Sequence, residues 1–226
     1  MQTNSDAHYM KQGGNSLMTQ NPQGQKHENM HTGPVPPQMN HGGHELFDVH
    51  EVLSSAVAGL NQYTLLRPHV QDQELLTMLD RQFHFMQEEY NITAECFKTG
   101  MDPSKPTQKY MMKQDNDFIY GLKPSQPKKP IQSSAELTDE IISGFMLGVH
   151  KSGAALKTMA ALETSNPVVR RVLADSVPNC IEMGYEVSIY QNKHHYYQVP
   201  QLAQQDMMAI VNSYAPSNIQ PSTMPN

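Results

Sequence analysis

Three histidines and one glutamate are the residues whose types and positions could bring metal ligands together in this chain. They are His50, His84, His150 and Glu182. Counted along the predicted helices, all four fall at a similar height, each beside the apolar stripe of its helix. Imidazole and carboxylate groups are common ligands of zinc and other divalent ions. The alternative, which we favour, is a set of partly buried polar residues that bond to one another or to water.

The usual di-iron centre of helical bundles needs Glu-x-x-His pairs, and the second and fourth predicted helices carry none. Glu89 is followed three positions later by Ile92, and Glu182 by Tyr185. Nucleophilic catalysis is not indicated either, because there is no Gly-x-Ser-x-Gly motif and Cys180 lies on an apolar stripe. The sequence therefore predicts a protein that is not an enzyme, with no catalytic residue, no cofactor and no bound metal.

Four long segments carry apolar residues at alternating steps of three and four, the pattern of helices packed along one face. The predicted helices span about 44–67, 70–99, 135–164 and 167–197, with a short helix at 201–213. The predicted stripe of the third helix consists of Ile142, Phe145, Val149, Ser152, Leu156 and Met159.

Local signals predict where these helices begin and end. Ser133 and Glu136 have the spacing of a capping box at the start of the third helix. Asn166 and Pro167 suit the N-cap and first position of the fourth helix, and Gly100 suits the end of the second. Pro178 should kink the fourth helix without ending it, because the apolar period resumes in register.

The lengths of the connections predict the topology. Short turns make the first and second helices antiparallel neighbours, and likewise the third and fourth. Residues 101–132 contain five prolines and form a long connection. A helix of ~30 residues is ~45 Å long, and mostly extended chain of this length can run back along it. We therefore predict an all-α fold, a ferritin-like four-helix bundle with one long crossover, spanning residues 44–214.

The composition predicts that part of the 226-residue chain lies outside this core. Only 38% of residues are hydrophobic and 7% are aromatic. Residues 1–43 are rich in Gln, Met, His and Gly and are predicted to be a disordered tail, and 215–226 a loose one. The histidines and methionines of the first tail could hold soft metal ions, but their irregular spacing favours a plain polar arm.

Charge and targeting signals narrow the function further. A net charge of −6 argues against nucleic-acid binding. No stretch has the length of a membrane span, and the N-terminus lacks the apolar core of a secretory signal. Two cysteines without a C-x-x-C motif suit synthesis in a reducing cytoplasm.

Several short motifs, in the right order, resemble the coat F domain family of Bacillus-type spore formers. The tyrosine-rich end of the fourth helix, YQNKHHYYQVP at 190–200, is similar to the close of that domain. YNITAECFKTGMDP at 90–103 and TSNP at 164–167 fit the same family. One departure is His194-His195, where relatives more often carry a Lys-Gly-Tyr turn.

This resemblance covers about residues 44–214 and implies a ferritin-like helical fold and a structural role in the bacterial spore. It supplies no catalytic residues. The expected location is the spore coat or a forespore-derived layer, and the expected partners are other spore proteins, with homo-oligomerisation open. The rival hypotheses are a ferritin-like metal-binding protein using the His/Glu set, and a small helical regulatory or binding module.

Overall fold

The computed structural model describes residues 36–114 and 117–217, and these residues are all-helical apart from loops and one isolated bridge between Tyr120 and Val199. This confirms the predicted all-α class. The helices are α1 (Gly43–Leu66), α2 (Gln73–Thr99), α3 (Asp139–Glu163), α4 (Pro167–Lys193) and α5 (Gln204–Val211). Short 3-10 turns lie at Pro37–Met39, Arg67–His69 and Ser134–Glu136. Within the described part of the chain, no helix is both long and apolar enough to cross a membrane.

The four long helices pack around a common interior. α1 packs against α2 and α3, and α4 packs against α3 and α2, with the α3–α4 contact the most extensive. Two apolar clusters fill the interior at different heights. One contains Tyr63, Leu75, Met78, Leu79, Ile142, Met146 and Val187, and the other contains Val49, Val52, Ile92, Cys96, Val168, Val172 and Leu173.

The long connection between α2 and α3 is held to α4 by two buried asparagines. Asn179 Oδ1 accepts a hydrogen bond from the Tyr110 amide at 2.9 Å. Asn192 Oδ1 accepts one from the Ile119 amide at 2.6 Å, and its Nδ2 donates back to the Ile119 carbonyl at 3.0 Å. Side-chain amides satisfy backbone groups that would otherwise be buried without partners. The connection therefore runs along α4 in the direction of that helix.

The predicted apolar stripe of α3 is wrong in part. Phe145 is 41% exposed, Met159 is 61% exposed and Ser152 is exposed. Of the predicted stripe only Ile142 is fully buried, and the other buried residues of this helix are Ser143, Met146, Leu147, His150 and Ala160. The physical reason is that α3 contacts both α1 and α4. The face that it buries is therefore rotated about the helix axis relative to the stripe predicted for contact with a single helix.

Helix starts differ from the predictions where a side chain downstream caps better. α3 begins at Asp139 rather than 135, because the Thr138 hydroxyl accepts from the Ile141 amide and Ser134–Glu136 forms a separate turn. α2 begins at Gln73 rather than 70, with Asp72 as its N-cap. Asn166 caps α4 as predicted, accepting from the amides of Val168 and Val169. α4 continues through Pro178, and α5 is shorter than the predicted 201–213.

Part of the predicted N-terminal tail packs on the folded body. Residues 1–35 and 218–226 lie outside the described residues, but 36–42 are placed. The His41 ring lies 5.1 Å from the Phe97 ring, and its Nδ1 lies 2.6 Å from Glu45 Oε1. Glu45 Oε2 accepts from the amides of Ser165 and Asn166, at 2.9 and 3.0 Å. This buried carboxylate therefore ties the start of α1 to the turn between α3 and α4.

We expect His195→Gly to stabilise the protein by about 1 kcal/mol. α4 ends at Lys193, and His195 adopts φ 61°, a left-handed conformation that costs a residue with a Cβ roughly 1 kcal/mol or more. Chemical denaturation measures the change, and His194→Gly is the control because His194 has φ −87° and stacks on Tyr196. A His195→Gly variant no more stable than the parent would contradict the assignment of strain to this position.

Candidate functional site: a buried polar network beside an open groove

The structure does not bring together the four residues of the alternative metal-site hypothesis. His50 and His84 are exposed, Glu182 is half-buried and only His150 is buried. Among residues 36–114 and 117–217, no three His, Cys, Asp or Glu side chains are grouped so that they could hold a metal ion. Equal height along the helices was the basis of that alternative, and height does not fix the direction in which a side chain points.

Glu186 of α4 is the centre of a polar network that the sequence analysis missed. Its carboxylate is fully buried and forms an ion pair with Arg81. It also accepts hydrogen bonds from the Tyr110 hydroxyl, from Gln82 Nε2 at 3.1 Å and from the Lys113 amide at 2.6 Å. Hydrogen bonds from four donors offset the free-energy cost of burying this carboxylate.

Gln82 extends this network to α1 and α3. Its Nε2 also donates to the Met183 carbonyl at 3.1 Å, so its Oε1 faces the opposite way. That oxygen accepts from the Tyr63 hydroxyl at 2.9 Å and lies 2.8 Å from His150 Nε2. The hydroxyl oxygen of Tyr63 is also 2.8 Å from the same nitrogen. Because Oε1 is only an acceptor, His150 must carry its proton on Nε2.

Burial and, to a smaller extent, the nearby charge of Lys157 together lower the pKa of His150 to about 3. The imidazole is therefore neutral in the folded protein at neutral pH. A neutral histidine with its Nε2 proton committed to Gln82 and Tyr63 serves to connect α3 to α1 and α2. In this state it is a structural bridge, and its Nε2 is not available as a metal ligand.

We expect stability to fall as pH drops below about 6.5, because the unfolded chain then binds a proton at His150 that the folded chain does not. The folded pKa is about 3, so this contribution is fully present above the unfolded pKa and is lost between the two values. The slope is at most about 1.4 kcal/mol per pH unit. Urea denaturation at pH 7, 6 and 5 measures it. The variant His150→Gln should show a flatter profile over this interval; equal slopes would contradict the assignment.

A second polar cluster lies near His150. Lys157 Nζ is 3.0 Å from Glu89 Oε2 and 3.3 Å from Cys180 Sγ. Burial works to lower the pKa of Lys157, but the carboxylate and the sulfur outweigh it, so the pKa is raised. Burial raises the pKa of Cys180 more than the Lys157 charge lowers it. The cysteine is therefore a protonated thiol, consistent with the predicted buried packing residue.

An interior cavity of about 50 Å³ adjoins this cluster. Its walls combine the three polar groups with apolar or small residues, among them Val52, Gly59, Met86, Val149, Gly153 and Leu156. Since a water needs roughly 10–15 Å³ of such space, the cavity has room for a few water molecules and is far smaller than a typical ligand pocket.

An open groove of about 720 Å³ runs between α3 and α4 on the outside of the same region. Aromatic residues of the connection and of the segment after α4 form its rim, and Phe118 stacks on Tyr185 with ring centroids 5.7 Å apart. The lining residues include Phe118, Tyr120, Leu147, Lys151, Ala154, Ile181, Gly184, Tyr185, Tyr197 and Val199. Lys151 Nζ lies 5.8 Å from the centroid of the Tyr197 ring. This lining can accept an apolar segment that carries a negative charge.

Comparison with known proteins identifies the family to which the chain belongs. The family model for the coat F domain matches residues 138–200, which contain α3, α4 and the segment after α4. The spore coat protein F-like protein YhcQ of Bacillus subtilis strain 168 is 56% identical over 176 residues, covering 78% of this chain and 81% of that protein. The chain belongs to the coat F-like family. This confirms the resemblance drawn from the tyrosine-rich motif.

A solved structure shares the fold of this coat F-like chain. It comes from Bacillus halodurans C-125 and carries the provisional description of a spore coat protein. It is 18% identical, with a TM-score of 0.55, and the match covers 74% of this chain and 99% of that one. At this identity the similarity concerns the fold alone. Both walls of the groove in the coat F-like chain, α3 and α4, lie within the matched domain.

One sequence signal could have revealed the network around Glu186. Met183, Val187 and Tyr190 form the apolar stripe of α4, and Glu186 lies between them on the same face. A carboxylate within a buried stripe needs a cationic or hydrogen-bonding partner. The partners could not have been named, because Arg81 and Tyr110 lie 105 and 76 residues away in the chain.

Proposed function

We propose that this chain is a non-enzymatic structural protein of the bacterial spore coat that acts through association with other coat proteins. The observation that carries the proposal is the 56% identity with a spore coat protein F-like protein over most of both chains. The coat F domain match over α3 and α4 supports it independently of that relative.

The interior geometry supports a structural role. The Glu186 carboxylate is fully buried and bonded to Arg81, Gln82 and Tyr110, and the Nε2 proton of His150 is held between Gln82 and Tyr63. A carboxylate and an imidazole that could act on a substrate would need access to it. The buried network instead joins four helices and the connection, which suits a rigid building unit. We accordingly assign no catalytic, cofactor or metal residues.

We further infer that residues 44–214 form one ferritin-like four-helix bundle with a single long crossover. The cyclic packing of α1, α2, α4 and α3 supports this topology. So do the short link between α1 and α2, the short link between α3 and α4, and the long path from Gly100 to Thr138.

Fractionation of purified spores tests the proposed function. An antibody to the chain should detect it in the alkaline detergent extract that removes the coat. It should be absent from vegetative cells and from the soluble core that is released after the coat is stripped. Detection only in the core, or only in the cytosol of vegetative cells, would overturn the proposal.

Elemental analysis tests the rival metal-binding function. The untagged protein, purified without chelator, should contain no stoichiometric divalent metal, and neither should the double variant His84→Ala, His150→Ala. Near-stoichiometric metal in the parent that is lost in the double variant would favour the metal-binding alternative over a purely structural role.

A further inference from the structure

The short helix α5 has an apolar side that its own chain leaves exposed. Every residue from 201 to 217 is exposed. Met207, Met208 and Val211 lie on one side of α5, with exposed fractions of 40%, 50% and 66%. Asp206 lies on the other side and is the only charged residue of this helix. An amphipathic helix exposed in this way needs a surface to cover its apolar side.

The groove between α3 and α4 offers such a surface. Its lining is mainly aromatic and aliphatic. Gly184 and Ala154 are small, so they leave room for a helix to approach closely. It contains the cation Lys151 and no carboxylate, whereas α5 contains one carboxylate and no cation. An eight-residue helix is ~12 Å long. A groove of about 720 Å³ can accommodate one side of a helix of this length.

The position of α5 in the chain favours a second copy as the source of the helix in this groove. Tyr197 and Val199 line the groove, so the chain leaves the body at the groove itself. Residues 200–217 are all exposed and none of them lines the groove, so α5 does not cover the groove of its own chain. Because each copy projects its helix from the edge of its own groove, two copies related by a two-fold axis can exchange helices.

We propose that two copies of this chain associate by placing α5 of each into the α3–α4 groove of the other. This inference rests on the proposed function, because it supplies a self-association step for a coat component. It identifies the partner as the chain itself, the contact as helix in groove, and the anchors as Met207, Met208 and Val211.

Sedimentation equilibrium of the full chain tests the exchange. The parent should show a concentration-dependent monomer–dimer equilibrium. Met208→Asp in α5 and Ile181→Asp in the groove should each weaken dimerisation at least tenfold. Leu65→Asp is the matched control, because it also replaces an exposed aliphatic residue with Asp but lies on α1. Leu65 is 72% exposed and Ile181 is 58% exposed. The control should leave dimerisation unchanged. Circular dichroism establishes that all variants remain helical.

A mixture of the two defective variants provides the decisive comparison. In a mixed pair, the intact α5 of the Ile181→Asp copy meets the intact groove of the Met208→Asp copy. The mixture should therefore dimerise more tightly than either variant alone. A parent that stays monomeric, an unaffected Ile181→Asp variant, or a mixture no tighter than its components would overturn the inference. Detection of such a monomeric chain in the coat extract would leave the proposed function standing.

Discussion

Replacing Glu186 with Gln is expected to lower the free energy of unfolding by about 3 kcal/mol. This is the lower end of the range found when one partner of a buried ion pair is removed, because the Arg81 side chain is 28% exposed. Glu186 accepts from Arg81, Gln82, Tyr110 and the Lys113 amide, and a neutral amide of the same shape cannot satisfy all four donors. It would also direct its own N–H₂ group at some of them. Urea denaturation monitored by circular dichroism measures the loss.

The control for this substitution is Glu182→Gln, one turn earlier on α4 and only half-buried. It makes the same chemical change outside the network, and we expect it to alter stability by no more than about 0.5 kcal/mol. A double-mutant cycle with Arg81→Met isolates the ion pair. Equal losses for Glu186→Gln and Glu182→Gln would mean that the network contributes nothing specific to stability.

Gly100→Ala is expected to be the second severe substitution, costing about 2–4 kcal/mol. Gly100 ends α2 with φ 67°, where a residue with a Cβ is strained by about 1–2 kcal/mol. In addition, the new methyl group would lie 1.8 Å from the Pro37 carbonyl oxygen. That contact cannot exist, so the Pro37–Met39 turn must move away from the body. Thermal or chemical denaturation measures the loss of stability.

Gly121→Ala separates the two causes of this loss. Gly121 also has a positive φ, 102°, but a Cβ there meets no atom within 4 Å. Its substitution carries backbone strain alone, in an exposed connection. Limited proteolysis adds a local measurement: Gly100→Ala should be cut faster between residues 36 and 42 than the parent, and Gly121→Ala should not. Unchanged cleavage would mean that the turn does not depend on contact with Gly100.

The two strong effects have a common interpretation, which is that each concerns an irregular segment fixed to the helices by a few contacts. The long connection has few apolar residues of its own to bury, so it is fixed to the helices by Tyr110, by Asn179 and Asn192, and by the Lys113 amide on Glu186. The N-terminal segment is fixed in a similar way, by Glu45 and by contact with Gly100. Both irregular segments therefore depend on a few polar or backbone contacts, each of which is sensitive to a single substitution.

Local signals in the sequence determined much of the secondary structure. The three–four periodicity predicted four long helices, and Asn166, Pro167 and Gly100 marked ends that the structure confirms. These features depend on residues within about one turn of each other, so the local sequence is sufficient to predict them. The tyrosine-rich motif at 190–200 likewise predicted the family from local sequence.

Only the tertiary structure decided which helical faces are buried and which polar residues meet. The predicted stripe of α3 assumed one partner, whereas α3 packs between α1 and α4 and buries His150 in place of Ser152. Of the four residues of the alternative metal-site hypothesis only His150 is buried, and the network that the structure shows joins Tyr63, Gln82, His150 and Glu186. Periodicity fixes the rotation of a residue about its own helix axis. The rotation of each helix relative to its neighbours is set by packing among residues distant in the chain, and that rotation determines the interior.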